Sequence, residues 1–119
     1  MACTLIIAGS RTFRSYNTLE STLDELGFSN AQDVTIISGC ARGADQLGEQ
    51  WAHQFGKPLI RMPAQWDTYG KSAGYKRNEE MAKIATHLVA FWDGTSRGTA
   101  HMINLAEKYK LITHVKLID

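Results

Sequence analysis

The sequence predicts an α/β protein, a three-layer sandwich with a mostly parallel five-stranded sheet flanked by about four helices. Three observations predict it. Short apolar, β-branched segments alternate with amphipathic helical segments along the whole 119-residue chain. The connections are short, so each helix reads as a crossover between parallel strands. One local pattern also occurs three times, at residues 5–13 (LIIAGSRTF), 34–45 (VTIISGCARGAD) and 88–102 (LVAFWDGTSRGTAHM). In each, an apolar strand runs into a glycine-containing loop that carries an arginine.

The elements follow in order. Strand one is about Thr4 to Ala8. Asn17 is a candidate N-cap for a helix to about Leu26, closed by Gly27, with Leu19, Leu23 and Leu26 on one face. Strand two is Val34 to Ile37. The second helix runs from about Ala44 to Phe55 and ends at Gly56, with Leu47, Trp51 and Phe55 on a shared face. Strand three, Leu59 to Met62, stops at Pro63. A longer loop, Ala64 to Ala73, precedes a third helix over about Tyr75 to Ala85. Strand four is His87 to Trp92, the fourth helix Thr99 to Lys110, and strand five Thr113 to Ile118. No linker, repeat or low-complexity segment interrupts them, so residues 1–119 read as one domain.

Bulk properties narrow the function. Hydrophobic content of 44% and charged content of 21% are those of a globular chain, not a disordered one. A net charge of +1 argues against broad electrostatic affinity for nucleic acid, though not against a local basic site. Two cysteines, Cys3 in a strand and Cys40 in a loop, make no disulfide framework, and reduced thiols fit a cytoplasmic protein. No signal peptide or apolar run of membrane-spanning length is present. His53, His87, His101 and His114 do not pair at zinc-ligand spacing and there is no Cys-x-x-Cys, so neither a metal nor a cofactor is expected. Cys40 is a nucleophile only with a base beside it, and the sequence places none there.

The three loops carry the functional argument. In an open parallel sheet they gather at the carboxyl ends of the strands, where such folds bind ligands. A glycine-rich turn opening a helix presents backbone N–H groups and the positive end of the helix dipole, a setting for phosphate. Gly9 and Ser10 would contact phosphate or ribose. Gly39, Arg42 and Gly43 would form one cradle; Gly94, Thr95, Gly98 and Thr99, with Arg97, a second. Arg11 would close over the ligand, and Asp45 would either bond ligand hydroxyls or cap its own helix. Arg11, Arg14, Arg42, Lys71, Lys76, Arg77 and Arg97, seven of the 13 basic residues, fall at this edge. Neither the three-glycine dinucleotide fingerprint nor a Walker P-loop is present.

GSRTF, SGCARGAD, YKRNEEMA and DGTSRGTAHMI together resemble the SLOG superfamily, the Rossmann-like group that unites the DNA-processing protein A and Lonely Guy families. Within it the chain is most similar to the short YspA-related proteins. The resemblance runs from Leu5 to about Lys110 and implies a nucleotide-related site in which Arg77 and Asn78 reach across the cleft.

The superfamily holds several functions. Lonely Guy proteins cleave the N-glycosidic bond of a nucleoside monophosphate. Their pattern places an arginine four residues before a methionine, as Arg77 and Met81 stand here, and then Gly-Thr-x-x-Glu. Gly98-Thr99 matches, but the glutamate position is Met102, and a thioether neither stabilises an oxocarbenium-like sugar nor activates water. If the chain is an enzyme, the resemblance makes it such a hydrolase, with Arg77, Asp93 and Glu79 as candidate catalytic residues. Asp93 has the alternative role of bonding its own turn, and His101 that of a packing or surface histidine.

DNA-processing relatives bind single-stranded DNA and share a similar SGxAxGxD stretch and a basic segment like Lys76-Arg77-Asn78. Trp66, Tyr69 and Tyr75 would supply stacking platforms for a strand or for one base, or pack the loop. The reading is binding of a nucleotide or nucleotide-derived ligand, to sense, sequester or carry it; hydrolysis and single-strand binding are the alternatives. A homodimer is favoured on the expectation that Trp51 and Phe55 leave an exposed apolar face.

Overall fold

The computed structural model describes residues 2–118. Its strands are β1 (Cys3–Gly9), β2 (Val34–Ser38), β3 (Leu59–Arg61), β4 (His87–Trp92) and β5 (Ile112–Leu117). They form one sheet in the order β3-β2-β1-β4-β5, and every pairing is parallel, where the sequence supported only a mostly parallel sheet. The helices are α1 (Tyr16–Glu25), α2 (Ala44–Gln54), α3 (Trp66–Tyr69), α4 (Ala73–Ile84) and α5 (Arg97–Lys108).

Period-two alternation in the central strands decides the layers. Leu5 and Ile7 of β1, Ile36 of β2, and Val89 and Phe91 of β4 face one side, with Leu19 and Leu23 of α1 and Trp51 of α2. Ile6, Ala8, Ile37, Leu88 and Ala90 face the other, with Met81 of α4 and Met102 and Leu105 of α5. Strands buried on both faces explain why these segments read as continuous apolar runs.

Several expectations are corrected. Asn17 does not cap α1: Ser15 does, its Oγ accepting from the Thr18 N–H at 3.2 Å, and the helix starts earlier. The segment 64–73 is not a plain loop, since it holds α3 and a single 3₁₀ turn, Gly70–Ser72. α4 and α5 each begin two residues before the expected Tyr75 and Thr99. Trp51 is fully buried, packed at a tilt with its ring 5.0 Å from that of a partly buried Phe55, so the premise of a dimer through that face fails. The apolar face of α2 lies in the core because the sheet covers it.

The order of the strands positions the site. From β1 the chain winds outward through β2 and β3, then returns to place β4 on the other side of β1. β1 and β4 therefore flank the topological switch point, where the following loops diverge and leave a crevice.

Candidate functional site

A cleft of about 400 Å³ occupies that crevice. Its floor is Ala8, Met81 and Met102; its walls are the loop after β1 (Gly9–Thr12), Asp45 of α2, Arg77 and Asn78 of α4, and Asp93 with Ser96–Thr99. A second lobe of about 310 Å³ adjoins it, lined by Gly39–Arg42, Pro63, Ala64 and Trp66. Arg11, Ala41 and Arg77 line both lobes and so form the divide.

Close backbone contact builds the walls. The Ser10 N–H donates to the Phe91 carbonyl at 3.0 Å, tying the ends of β1 and β4 together. The N-cap of α2 is Gly43, at φ 75°, and a Cβ there would overlap the Ser10 carbonyl oxygen and sit 2.7 Å from the Arg11 carbonyl carbon. This glycine lets the α2 start press against the loop after β1. Gly39 is constrained by side chains instead: a Cβ would lie 2.8 Å from both Arg77 Nη1 and Asp45 Oδ2.

Arg77 is tied to both sides of the divide. Its Nη1 donates to the Gly39 carbonyl and its Nε to Asn78 Oδ1 at 2.9 Å, which fixes the guanidinium across the divide. Arg11, Arg42 and Arg97 are exposed and, among the described residues, their side chains make no hydrogen bond or ion pair. Three uncommitted cations thus ring the mouth, while the fourth is held in place. Arg14 differs, donating to the Arg11 and Phe13 carbonyls.

α5 opens onto the first lobe with no side-chain cap on its N-terminus. The first N–H groups of such a helix lack intrahelical acceptors and carry the positive end of the dipole. Asp93 satisfies the turn before it, accepting from the Thr95 and Ser96 N–H groups at 2.9 and 2.7 Å and from Ser96 Oγ at 2.8 Å, with a longer bond from Ser10 Oγ at 3.4 Å. Those donors, the Ser96 backbone first, hold the Asp93 carboxyl well below the usual carboxylate range. An acid so stabilised in its charged form is a poor proton donor.

Asp45 is the opposite case. It is 7% exposed, and burial pushes its carboxyl up to about 6 against the pull of the Ala41 N–H (3.2 Å) and of Arg77. The folded protein therefore keeps this proton to about pH 6, whereas an unfolded aspartate releases it near 3.8. Folding takes up a proton between those values, so stability falls as pH rises across that window. At 1.36 kcal/mol per pH unit the loss is about 3 kcal/mol. Asp45→Asn keeps an acceptor for Ala41 and removes the buried charge. It is expected to be about 2–3 kcal/mol more stable than wild type at pH 7, and to flatten the stability profile between pH 4 and 6, read by urea unfolding at each pH.

The structure brings together Gly9, Ser10, Arg11, Asp45, Arg77, Asn78, Arg97, Gly98 and Thr99 on the first lobe, and Gly39 and Arg42 on the second. It does not bring Gly43, Gly94 or Thr95 to the lining: Gly43 is buried behind the loop after β1, and the Asp93 turn holds the other two outside. Glu79 lines neither lobe; on the outer side of α4 it accepts from Tyr109 Oη at 2.9 Å and pairs with Lys108 at 3.6 Å. His101 stacks edge-on against Tyr75 at 4.6 Å and lies 3.3 Å from Asn78 Nδ2, behind the wall. Tyr69 sits under Lys76 Nζ at 4.9 Å, which leaves Trp66 as the aromatic side chain at the cleft. Sequence reasoning missed Thr12, Ala41, Ser96, Pro63 and Ala64 as lining. Ser96 was findable, as the residue that follows a strand-end Asp-Gly-Thr and precedes a helix.

Other proteins share this fold. The structure matches that of DNA processing protein A (DprA) from Streptococcus pneumoniae with a TM-score of 0.76 over 97% of this chain, at 17% identity. The chain spans half the length of that protein, and the likeness is one of fold. Gene 61 protein of Mycobacterium phage D29 is 30% identical over 110 residues, covering 87% of this chain and 88% of the relative. A family model described as YspA, cpYpsA-related SLOG family matches residues 3–69, which span the first two glycine loops and reach Trp66 in the second lobe. With more than half of its length matched, and with the strand order and switch-point cleft of a Rossmann-like sheet, the chain belongs to the YspA, cpYpsA-related SLOG family.

Proposed function

We propose that the protein binds a nucleotide or nucleotide-derived ligand in the cytoplasm, to sense, sequester or carry it. The observation that carries this reading is the convergence, on one cleft, of the uncapped N-terminus of α5 and the fixed fork of Arg77. Backbone N–H groups and a planar guanidinium together suit a phosphate oxygen set. Asn78 and Ser10 add side chains able to bond ribose hydroxyls, and family membership is consistent with nucleotide-related binding. Binding without hydrolysis is supported by the floor of the cleft. Met102, 1% exposed, stands where the Lonely Guy pattern has its glutamate; Asp93 is committed to its turn and Glu79 lies outside. One aromatic side chain at the cleft, rather than a row, suits a single base better than a strand.

Asp45 favours a second reading. A buried carboxyl that stays protonated to about pH 6 inside a ligand-sized cleft has the character of a general acid, able to protonate a departing base. The two readings separate in one experiment, in which the purified protein is soaked in a mixed nucleotide pool and its bound molecules are identified by mass spectrometry. Release of one intact nucleotide on denaturation is the expected outcome. Free base and ribose 5-phosphate accumulating with wild type but not with Asp45→Asn would replace binding with hydrolysis.

A further inference from the structure

The cleft has two lobes, and the phosphate site at the start of α5 occupies only the first. The second lobe is not an extension of the phosphate site: it lies on the far side of Arg77 and its lining is of another kind. Trp66, 52% exposed, presents an indole there beside Pro63 and Ala64, opposite the backbone of Gly39–Ala41. An exposed indole beside apolar side chains is a platform for a flat ring, and Arg42 at the rim supplies a cation.

Volume decides what can fill both lobes. Ligand pockets run from roughly 300 to 1,000 Å³, and at about 400 and 310 Å³ each lobe here is a pocket of that scale by itself. A mononucleotide suits one lobe. A ligand that fills both needs two bulky halves and a linker able to pass between Arg11 and Arg77. Two arginines at a constriction match an anionic linker, and Arg77, held by its own bonds to Gly39 and Asn78, meets it without reorganising.

Resting on the nucleotide reading, we propose that the ligand is a two-part molecule bridged by phosphate. One half, with its ribose, lies in the first lobe against the start of α5, the bridge lies between Arg11 and Arg77, and the base of the other half stacks on Trp66. Trp66 is then the residue that separates such ligands from mononucleotides.

The test compares AMP and GMP with ADP-ribose and GDP-mannose by calorimetry, on the full chain and on Trp66→Ala and Trp66→Phe. Trp66 buries no core contact, so both variants fold, and circular dichroism checks it. A bridged probe is expected to bind wild type about tenfold or more tighter than its mononucleotide. Trp66→Ala should remove about tenfold of that affinity, the scale of one base–aromatic stack, and Trp66→Phe should restore most of it. Bridged binding should also quench tryptophan emission more strongly in wild type than in Trp66→Phe, which keeps the core Trp51 and the half-buried Trp92 beside the first lobe. Equal affinity for mononucleotides and bridged probes, unchanged by Trp66→Ala, would overturn the two-part ligand and leave nucleotide binding standing. Absence of binding by all four probes at millimolar concentration would overturn both.

Discussion

Gly43→Ala is expected to destabilise the protein by about 3–5 kcal/mol. Two costs combine. Gly43 has φ 75° and ψ −124°, a sparsely populated region that costs an L-residue on the order of 1–3 kcal/mol. The new Cβ would also overlap the Ser10 carbonyl oxygen and crowd the Arg11 backbone, and backbone atoms cannot rotate aside as a side chain can. Relief requires α2 to retreat from the loop after β1, which would undo the Ala44 N–H to Ser10 carbonyl bond at 3.3 Å and the packing of Ala44 in the core. For a domain of this size the melting temperature should fall by on the order of 10 °C or more. Gly94→Ala is the control: its φ is also positive, at 84°, but a Cβ there meets nothing within 4 Å. A melting temperature for Gly43→Ala no lower than that of Gly94→Ala would show that backbone contact behind the cleft is unimportant.

Arg77→Ala is expected to weaken nucleotide binding by about 10- to 100-fold, following the roughly 1.5–3 kcal/mol of a hydrogen bond to a charged group. The residue is half-buried, spans both lobes and is positioned before any ligand arrives. Its loss also strips Asp45 of a nearby positive charge, so that carboxyl should hold its proton to still higher pH. Arg77→Lys keeps the charge and loses the planar fork. Its affinity should lie between those of wild type and Arg77→Ala, because an ammonium cannot bond Gly39, Asn78 and a phosphate in one plane. Calorimetry with the nucleotide recovered from the soaked protein reads all three. Equal affinity of Arg77→Ala and wild type would remove Arg77 from the site.

Much of the fold was legible because it rests on periodicity. Leu5, Ile6, Ile7 and Ala8 announce a strand buried on both faces, and Leu19 and Leu23 a helix buried on one. Caps were harder to read, because Ser15 and Asn17 are both competent capping residues and the choice is made by where the chain leaves β1. The face of Trp51 and Phe55 misled because sequence shows an apolar stripe but not the area of sheet that will cover it.

The lining of the cleft was legible where backbone chemistry makes it, at Gly9, Gly39 and Gly98. It was illegible where three-dimensional adjacency makes it. Nothing in the sequence places Pro63 and Ala64 against Cys40 and Arg77, and nothing distinguishes Trp66 from Tyr69 or Tyr75. Asp45 shows the same limit from the electrostatic side. It reads as an ordinary helix-start acid, and only its burial gives it an unusual affinity for a proton.

The two lobes also differ in what holds them. The first is walled by strands and long helices whose inner faces are core. α3, the outer wall of the second, has four residues and buries none of them. A segment with so little buried surface opens at the low end of a protein's range of local free energies. In the proposed two-part ligand, the half stacked on Trp66 would therefore leave past a thin wall and the half behind Arg77 past a rigid one. Such a ligand would have a fast exit and a slow exit, with residence time set by the slow one.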